Sequence, residues 1–361
     1  MKKSGTHNSI GLGFFNLARG IGMVLIVFGH SMTPFFPVRE VGDGLFAGAG
    51  SVLGGGIMAM FFLISGFGFY SRSLRKTFTT QWKLLMNPYW ITAGAILATK
   101  VALAVVKQRP FAEHGGDLVL TYLLGLNAER GGTFFGLGVD SVSILWFVLA
   151  LFGGWILYNG ICRLKSEKLW WFLTAGAVVL GWLLTTVSDV WPWCLPMALM
   201  AVGYLAAGDL IRRRGWLTEK LPWWSWCILG GVSLGCFALG GVNMVACQWK
   251  LGLLDVAGSF CVGFLLLRSY CWLMTWNWQC KPVQILETAG FYSLWIVFLH
   301  GYEKMIFPWY RLGNLLPGQP VLCTALCFIL RCGLIFILMR LLQRIRHKLQ
   351  KKRLPSGEHL K

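Results

Sequence analysis

NLARGIGMVLIVFGHSM, residues 16–32, is an apolar run that carries an arginine and a histidine. Arg19 and His30 stand eleven residues apart, so at about 100° per residue an α-helix brings both to one face, roughly 16 Å apart along its axis. The run has the length of a membrane-spanning helix, ~20 residues for a ~30 Å hydrocarbon core. An ionisable side chain inside such a span is costly and faces a polar interior or a partner; two on one face point to function. The plainer alternative is that Arg19 reaches back to the headgroups and His30 ends the span.

The rest of the chain repeats the pattern. It has 361 residues, 56% hydrophobic and 13% charged, too apolar for an ordinary soluble globule. The apolar residues come in runs of about 20, not in the alternating segments of about ten that build a membrane barrel. The fold class expected is all-α: a polytopic membrane protein with ten spans at 14–33, 50–70, 84–106, 141–162, 169–188, 191–211, 224–246, 249–271, 289–309 and 319–343.

A net charge of +19 could signal a nucleic-acid partner, but the placement of the charge speaks for topology. With a cytoplasmic amino terminus and alternating spans, most Lys and Arg fall on the inner side, in RSLRKTFTTQWK, CRLKSEK, IRRRGWLTEK and the tail RLLQRIRHKLQKKR. Arg39, Lys107, Arg109, Arg130, Lys250 and Arg311 fall outside, and Arg19, Lys100, Lys304 and Arg331 lie within spans. Both termini are therefore expected in the cytoplasm, with membrane lipid as the partner of the basic tail and no nucleic acid bound.

One membrane domain, residues 1–347, and a basic tail, 348–361, account for the chain, without internal repeats. The first run holds an arginine and lacks a small-residue cleavage site, so it is expected to stay in the mature protein. The eleven cysteines are scattered without C-x-x-C spacing, which predicts neither a disulfide framework nor a metal site. Residues 107–140 form the longest stretch outside the spans, expected as an outer loop that is either part of a binding site or a connector.

Several segments together resemble the acyltransferase 3 family of bacterial membrane proteins. NLARGIGMVLIVFGHS is similar to the family's opening D-x-x-R-G-(x)9-H-S, and FFLISGF (61–67) to its F-F-x-x-S-G-F. ILWFVLALF (144–152), WPWCLPMALMAVGYLAAGDLIRR (191–213) and TAGFYSLWIVFLHGY (288–302) resemble later family segments in the same order. The chain departs from the pattern at Asn16, where the family has Asp, and in WKLLMNPYW, where paired arginines are reduced to Lys83.

The resemblance implies transfer of an acyl group, usually acetyl, from cytoplasmic acyl-CoA to a hydroxyl of an envelope glycan or lipid-linked precursor, at the bacterial inner membrane. Acyl-CoA is then a co-substrate, and no bound cofactor is expected. The residues agree with that chemistry. A histidine near neutrality suits a general base that takes the proton of an attacking hydroxyl, the role given to His30. Arg19 would hold the donor or stabilise developing negative charge. The inner loop with Arg72, Arg75, Lys76 and Lys83 is a natural place for CoA phosphates, though positive-inside topology alone explains it equally well.

His300 and Glu303, three residues apart on one helical face, are candidates to orient the base or the acceptor, against a purely structural histidine. Trp146 is a candidate stacking surface for a sugar, and Ser65 a candidate acceptor contact or nucleophile, with helix packing the stronger reading of S-G-F. Asp209 beside the basic run IRRR reads as a charge partner. Two rivals stay open: a transporter or flippase of a lipid-linked sugar, which would often show broken helices that the sequence does not clearly display, and a non-catalytic sensor on the same fold.

Overall fold

The computed structural model describes residues 12–36, 45–108, 112–188, 190–276 and 280–353. Fourteen α-helices succeed one another among them. They are α1 Leu12–Met32, α2 Leu45–Phe67, α3 Leu74–Gln81, α4 Asn87–Val106, α5 Ala112–Leu124, α6 Trp146–Ile161 and α7 Glu167–Val187, then α8 Leu195–Arg214, α9 Trp223–Leu239, α10 Leu253–Met274, α11 Lys281–Phe291, α12 Ser293–Ile306, α13 Leu312–Leu315 and α14 Pro320–Arg353. Among the described residues strand is confined to the antiparallel pair β1 (Asn127–Phe134) and β2 (Leu137–Ser141), and a two-residue ribbon of β3 (Val242–Asn243) and β4 (Gln248–Trp249).

Eight helical segments among the described residues are long and apolar enough to cross a membrane, nine if the bent pair α11–α12 is one span. The all-α polytopic architecture follows. The expected span 224–246 is shorter: α9 stops at Leu239, where Gly240 turns extended and the chain enters the ribbon. The expected outer loop 107–140 instead holds α5 and the β1–β2 hairpin. α14 carries on through 348–353, the first part of the expected tail, and the rest of that tail, 354–361, lies outside the described residues.

The span expected at 289–309 is also not straight. α11 and α12 meet at Tyr292 with a 76° bend, so a broken helix is present after all. Its two halves differ in their main neighbours: α11 packs chiefly on α1, whereas α12 packs chiefly on α4 and α14 and meets α1 to a lesser extent. The α1–α11 crossing brings backbones together, for a Cβ at Gly20 would run into the Leu286 carbonyl and one at Gly290 into that of Asn16. In the third span a π-helical turn, Trp82–Met86, joins α3 to α4; it precedes Pro88, which has no N–H for the Leu84 carbonyl.

The core runs through α2, α6, α8 and α10. α2 meets α8 through glycines on both sides, since Gly66 abuts the Leu205 carbonyl and Gly208 the Leu63 carbonyl. Small residues at such crossings let helices approach where lipid gives little hydrophobic drive for association. Polar ties add register: Tyr204 Oη lies 2.6 Å from Ser259 Oγ between α8 and α10, and Tyr89 Oη donates to the Tyr122 carbonyl at 2.7 Å between α4 and α5.

Candidate active site

Toward the C-terminal end of α1, His30 lines a cavity of about 380 Å³. Much of the wall is apolar, from Met23 and Ile26 of α1, Met58 and Phe61 of α2, Phe147 of α6 and Val297 of α12. Trp146, the first residue of α6, also lines it and packs edge-on to Phe147. The β3 end of the ribbon closes one side. It is held from two directions: Ser51 Oγ accepts from the Val242 N–H at 3.1 Å, and Asn127 Nδ2 of the hairpin donates to the Val245 carbonyl at 2.6 Å. The expected outer loop thus supplies a support of the cavity wall.

The His30 side chain makes no hydrogen bond among the described residues, so its ring nitrogens are available to a ligand. Its ring packs on that of His300, with centroids 5.3 Å apart and planes inclined by 49°. His300 and Glu303 are fully buried on α12 and do not line the cavity; His30 is the contact between the two. The spacing of three puts both side chains on one face of α12, where His300 Nδ1 meets Glu303 Oε1 at 2.5 Å. An ionised Glu303 can only accept, which assigns the Nδ1 proton to neutral His300 and leaves Nε2 an acceptor. That Nε2 is buried and has no hydrogen-bond partner.

The carboxylate is held further by Trp309 and Arg331, neither of which has a role assigned from sequence alone. Trp309 Nε1 donates to Glu303 Oε2 at 2.5 Å, and Arg331 Nη1 of α14 lies 3.4 Å from Glu303 Oε1. The Arg331 guanidinium also sits 5.2 Å from the centre of the Trp309 ring. The signal for Arg331 was present: it is a charge inside Pro320–Ile345, a span of mean hydropathy 2.6. Nothing in the sequence linked it to Glu303, because the pairing is between two helices.

The other candidates lie elsewhere. Arg19 is half-buried, makes no hydrogen bond or ion pair among the described residues, and does not line the cavity. Ser65 is outside the lining too, one residue before the Gly66 crossing, as a packing role would have it. Arg72, Arg75, Lys76 and Lys83 are exposed, on α3, its approach and the π turn, beyond the end of α2 away from the cavity.

This basic end is rigidly built. Asn159 is fully buried and clips the Arg72 backbone, accepting from its N–H and donating to its carbonyl, each at 3.0 Å. Buried Asp209 pairs with Arg212 and Arg213 at 2.5 Å and accepts from Tyr158 Oη at 2.8 Å, the charge-partner role expected of it. Arg212 stacks over Tyr70 at 4.6 Å. Among the described residues no His, Cys, Asp and Glu side chains are grouped to hold a metal ion.

Fold and cavity together define a multi-pass membrane protein with a histidine pair inside its helical bundle, one ring on the cavity and one buried. The family model Acyl_transf_3, described as an acyltransferase domain, matches residues 12–340, and the chain belongs to this family of membrane acyltransferases. No curated protein and no solved structure matches the chain.

Proposed function

We propose that this acyltransferase moves an acyl group, acetyl in the simplest case, from cytoplasmic acyl-CoA to a hydroxyl of a cell-envelope or exported carbohydrate in the bacterial inner membrane. The observation that carries the reading is His30, whose imidazole is uncommitted, lines the cavity and is backed by the His300–Glu303 pair. In the reaction the acceptor oxygen bonds to the thioester carbonyl carbon as His30 takes its proton; the C–S bond breaks and the proton passes to the departing CoA thiolate. Trp146 offers a flat surface for a sugar, and the apolar wall suits the acyl group. Arg72, Arg75, Lys76 and Lys83 would meet the CoA phosphates at the opposite end, with both chain termini on that cytoplasmic side. Arg19, on the His30 face of α1 but nearer that end, would hold the donor between.

The 76° break between α11 and α12 favours a second reading, a carrier for a lipid-linked sugar, since transporters place sites at discontinuous helices. CoA release from acetyl-CoA by purified protein in lipid nanodiscs, with and without an envelope glycan extract, separates the two. Glycan-dependent release supports acyl transfer; binding of glycan with no release and no affinity for CoA supports the carrier.

A further inference from the structure

His300 is fixed by Glu303, and Glu303 is fixed from outside its own helix. A lone carboxylate in a span carries a heavy desolvation penalty, so a buried one needs a counter-charge and donors. Both are present: Trp309 donates to one oxygen, and Arg331, only 2% exposed, stands beside the other. Arg331 is itself braced by the Trp309 ring, so the three side chains form a closed arrangement on three segments of chain. Lys304, next to Glu303 on α12, is a second cation in this part of the bundle. Among the described residues Nε and Nη1 of Arg331 are buried without a hydrogen-bond partner, and the charge contact with Glu303 and the stacking on Trp309 help to hold the guanidinium here.

We propose that Arg331, braced by Trp309, is a positioning residue of the transfer reaction. It holds the Glu303 carboxylate in place against His300 Nδ1, so that His300 stays in one tautomer with Nε2 free beside His30. The role in turnover rests on the acyl-transfer reading above, whereas the effect on the His300 tautomer does not. Without the guanidinium, Glu303 loses its fixed counter-charge, the Nδ1–H tautomer loses its preference, and the ring packed on His30 samples the other one. Losing the partner that orients a metal-bound histidine lowers activity on the order of tenfold to a hundredfold, and a loss of that size is expected for this metal-free histidine.

The test compares wild type, Arg331→Lys, Arg331→Met and the double variant Glu303→Gln/Arg331→Met in lipid nanodiscs. Two readouts are taken: ¹⁵N NMR of labelled histidine, with the His300 signals assigned by their loss in His300→Asn, and turnover of acetyl-CoA. Wild type should show one His300 tautomer protonated at Nδ1. Arg331→Met should mix the tautomers and lower kcat by tenfold or more with KM little changed, and Arg331→Lys should recover part of both. The double variant removes the buried charge imbalance and should regain thermal stability without regaining kcat. An unchanged His300 tautomer in Arg331→Met, or a double variant that regains wild-type kcat along with its stability, overturns the proposal. A tautomer that responds as stated in a protein that never turns over acyl-CoA supports the positioning of His300 and sinks the acyl-transfer reading instead.

Discussion

The imidazole of His30 packs on that of His300 at 5.3 Å between centroids, bringing together residues 270 positions apart on α1 and α12. His30 faces the cavity and His300 does not, so the pair joins a ligand-accessible ring to a buried network ending at Glu303, Trp309 and Arg331.

Substituting the accessible ring should therefore remove chemistry and leave the fold. His30→Ala is expected to lower kcat for acyl transfer by about 10²–10⁴-fold, the usual worth of a positioned general base. Its thermal unfolding should stay close to wild type, because His30 is only half-buried and its side chain makes no hydrogen bond. Steady-state kinetics beside a melting curve checks both halves.

Glu303 should behave in the opposite way. Glu303→Ala leaves Arg331 buried without its carboxylate and strips His300 and Trp309 of their acceptor, which should cost about 3–5 kcal/mol of stability. Thermal unfolding in detergent would show it, and a melting temperature equal to wild type would mean that the network does not hold the bundle.

The α1–α11 crossing gives a packing prediction. Gly20→Ala or Gly290→Ala sets a methyl group against backbone and should destabilise by roughly 1–3 kcal/mol, the cost of overpacking a core. The crossing also places α1, so Gly20→Ala should reduce activity beyond the loss of folded protein, measured per folded molecule.

At the basic end, Arg75→Glu with Lys76→Glu should raise KM for acyl-CoA several-fold and flatten its dependence on salt, with kcat little affected. Both side chains are exposed, so the fold should tolerate the change. Donor titrations at low and high ionic strength decide it, since exposed charge–phosphate attraction is screened within about 10 Å at 0.1 M salt.

The sequence disclosed the spans because each apolar run is long enough to cross a bilayer by itself, and it disclosed His30 because a histidine in such a run stands out. It also paired His300 with Glu303, since a spacing of three is a local property of a helix. It did not disclose the break at Tyr292. The bend goes with a change of main neighbour, from α1 for α11 to α4 and α14 for α12, which no local pattern records, and the residues from 289 onward read as one apolar run. The hairpin in 127–141 was missed because its polar, glycine-rich sequence carries little alternation. Arg331 was visible as an in-span charge without a partner, because Glu303 and Trp309 come from elsewhere in the chain. Arg19 shows the converse: a shared face with His30 did not bring it to the cavity, since that face runs along α1 for some three turns.

The most direct measurement follows the acyl group itself. Proteoliposomes with glycan extract enclosed on one side and acetyl-CoA, labelled in the acetyl group, supplied on the other would be assayed for label in the glycan, for wild type and His30→Ala. Labelled glycan is expected with wild type, and loss of at least 99% of that rate with a folded His30→Ala, about the 10²-fold owed to a general base. Label appearing equally with both proteins would contradict the assignment of His30, and no labelled glycan with either would contradict transfer of the acyl group to a glycan.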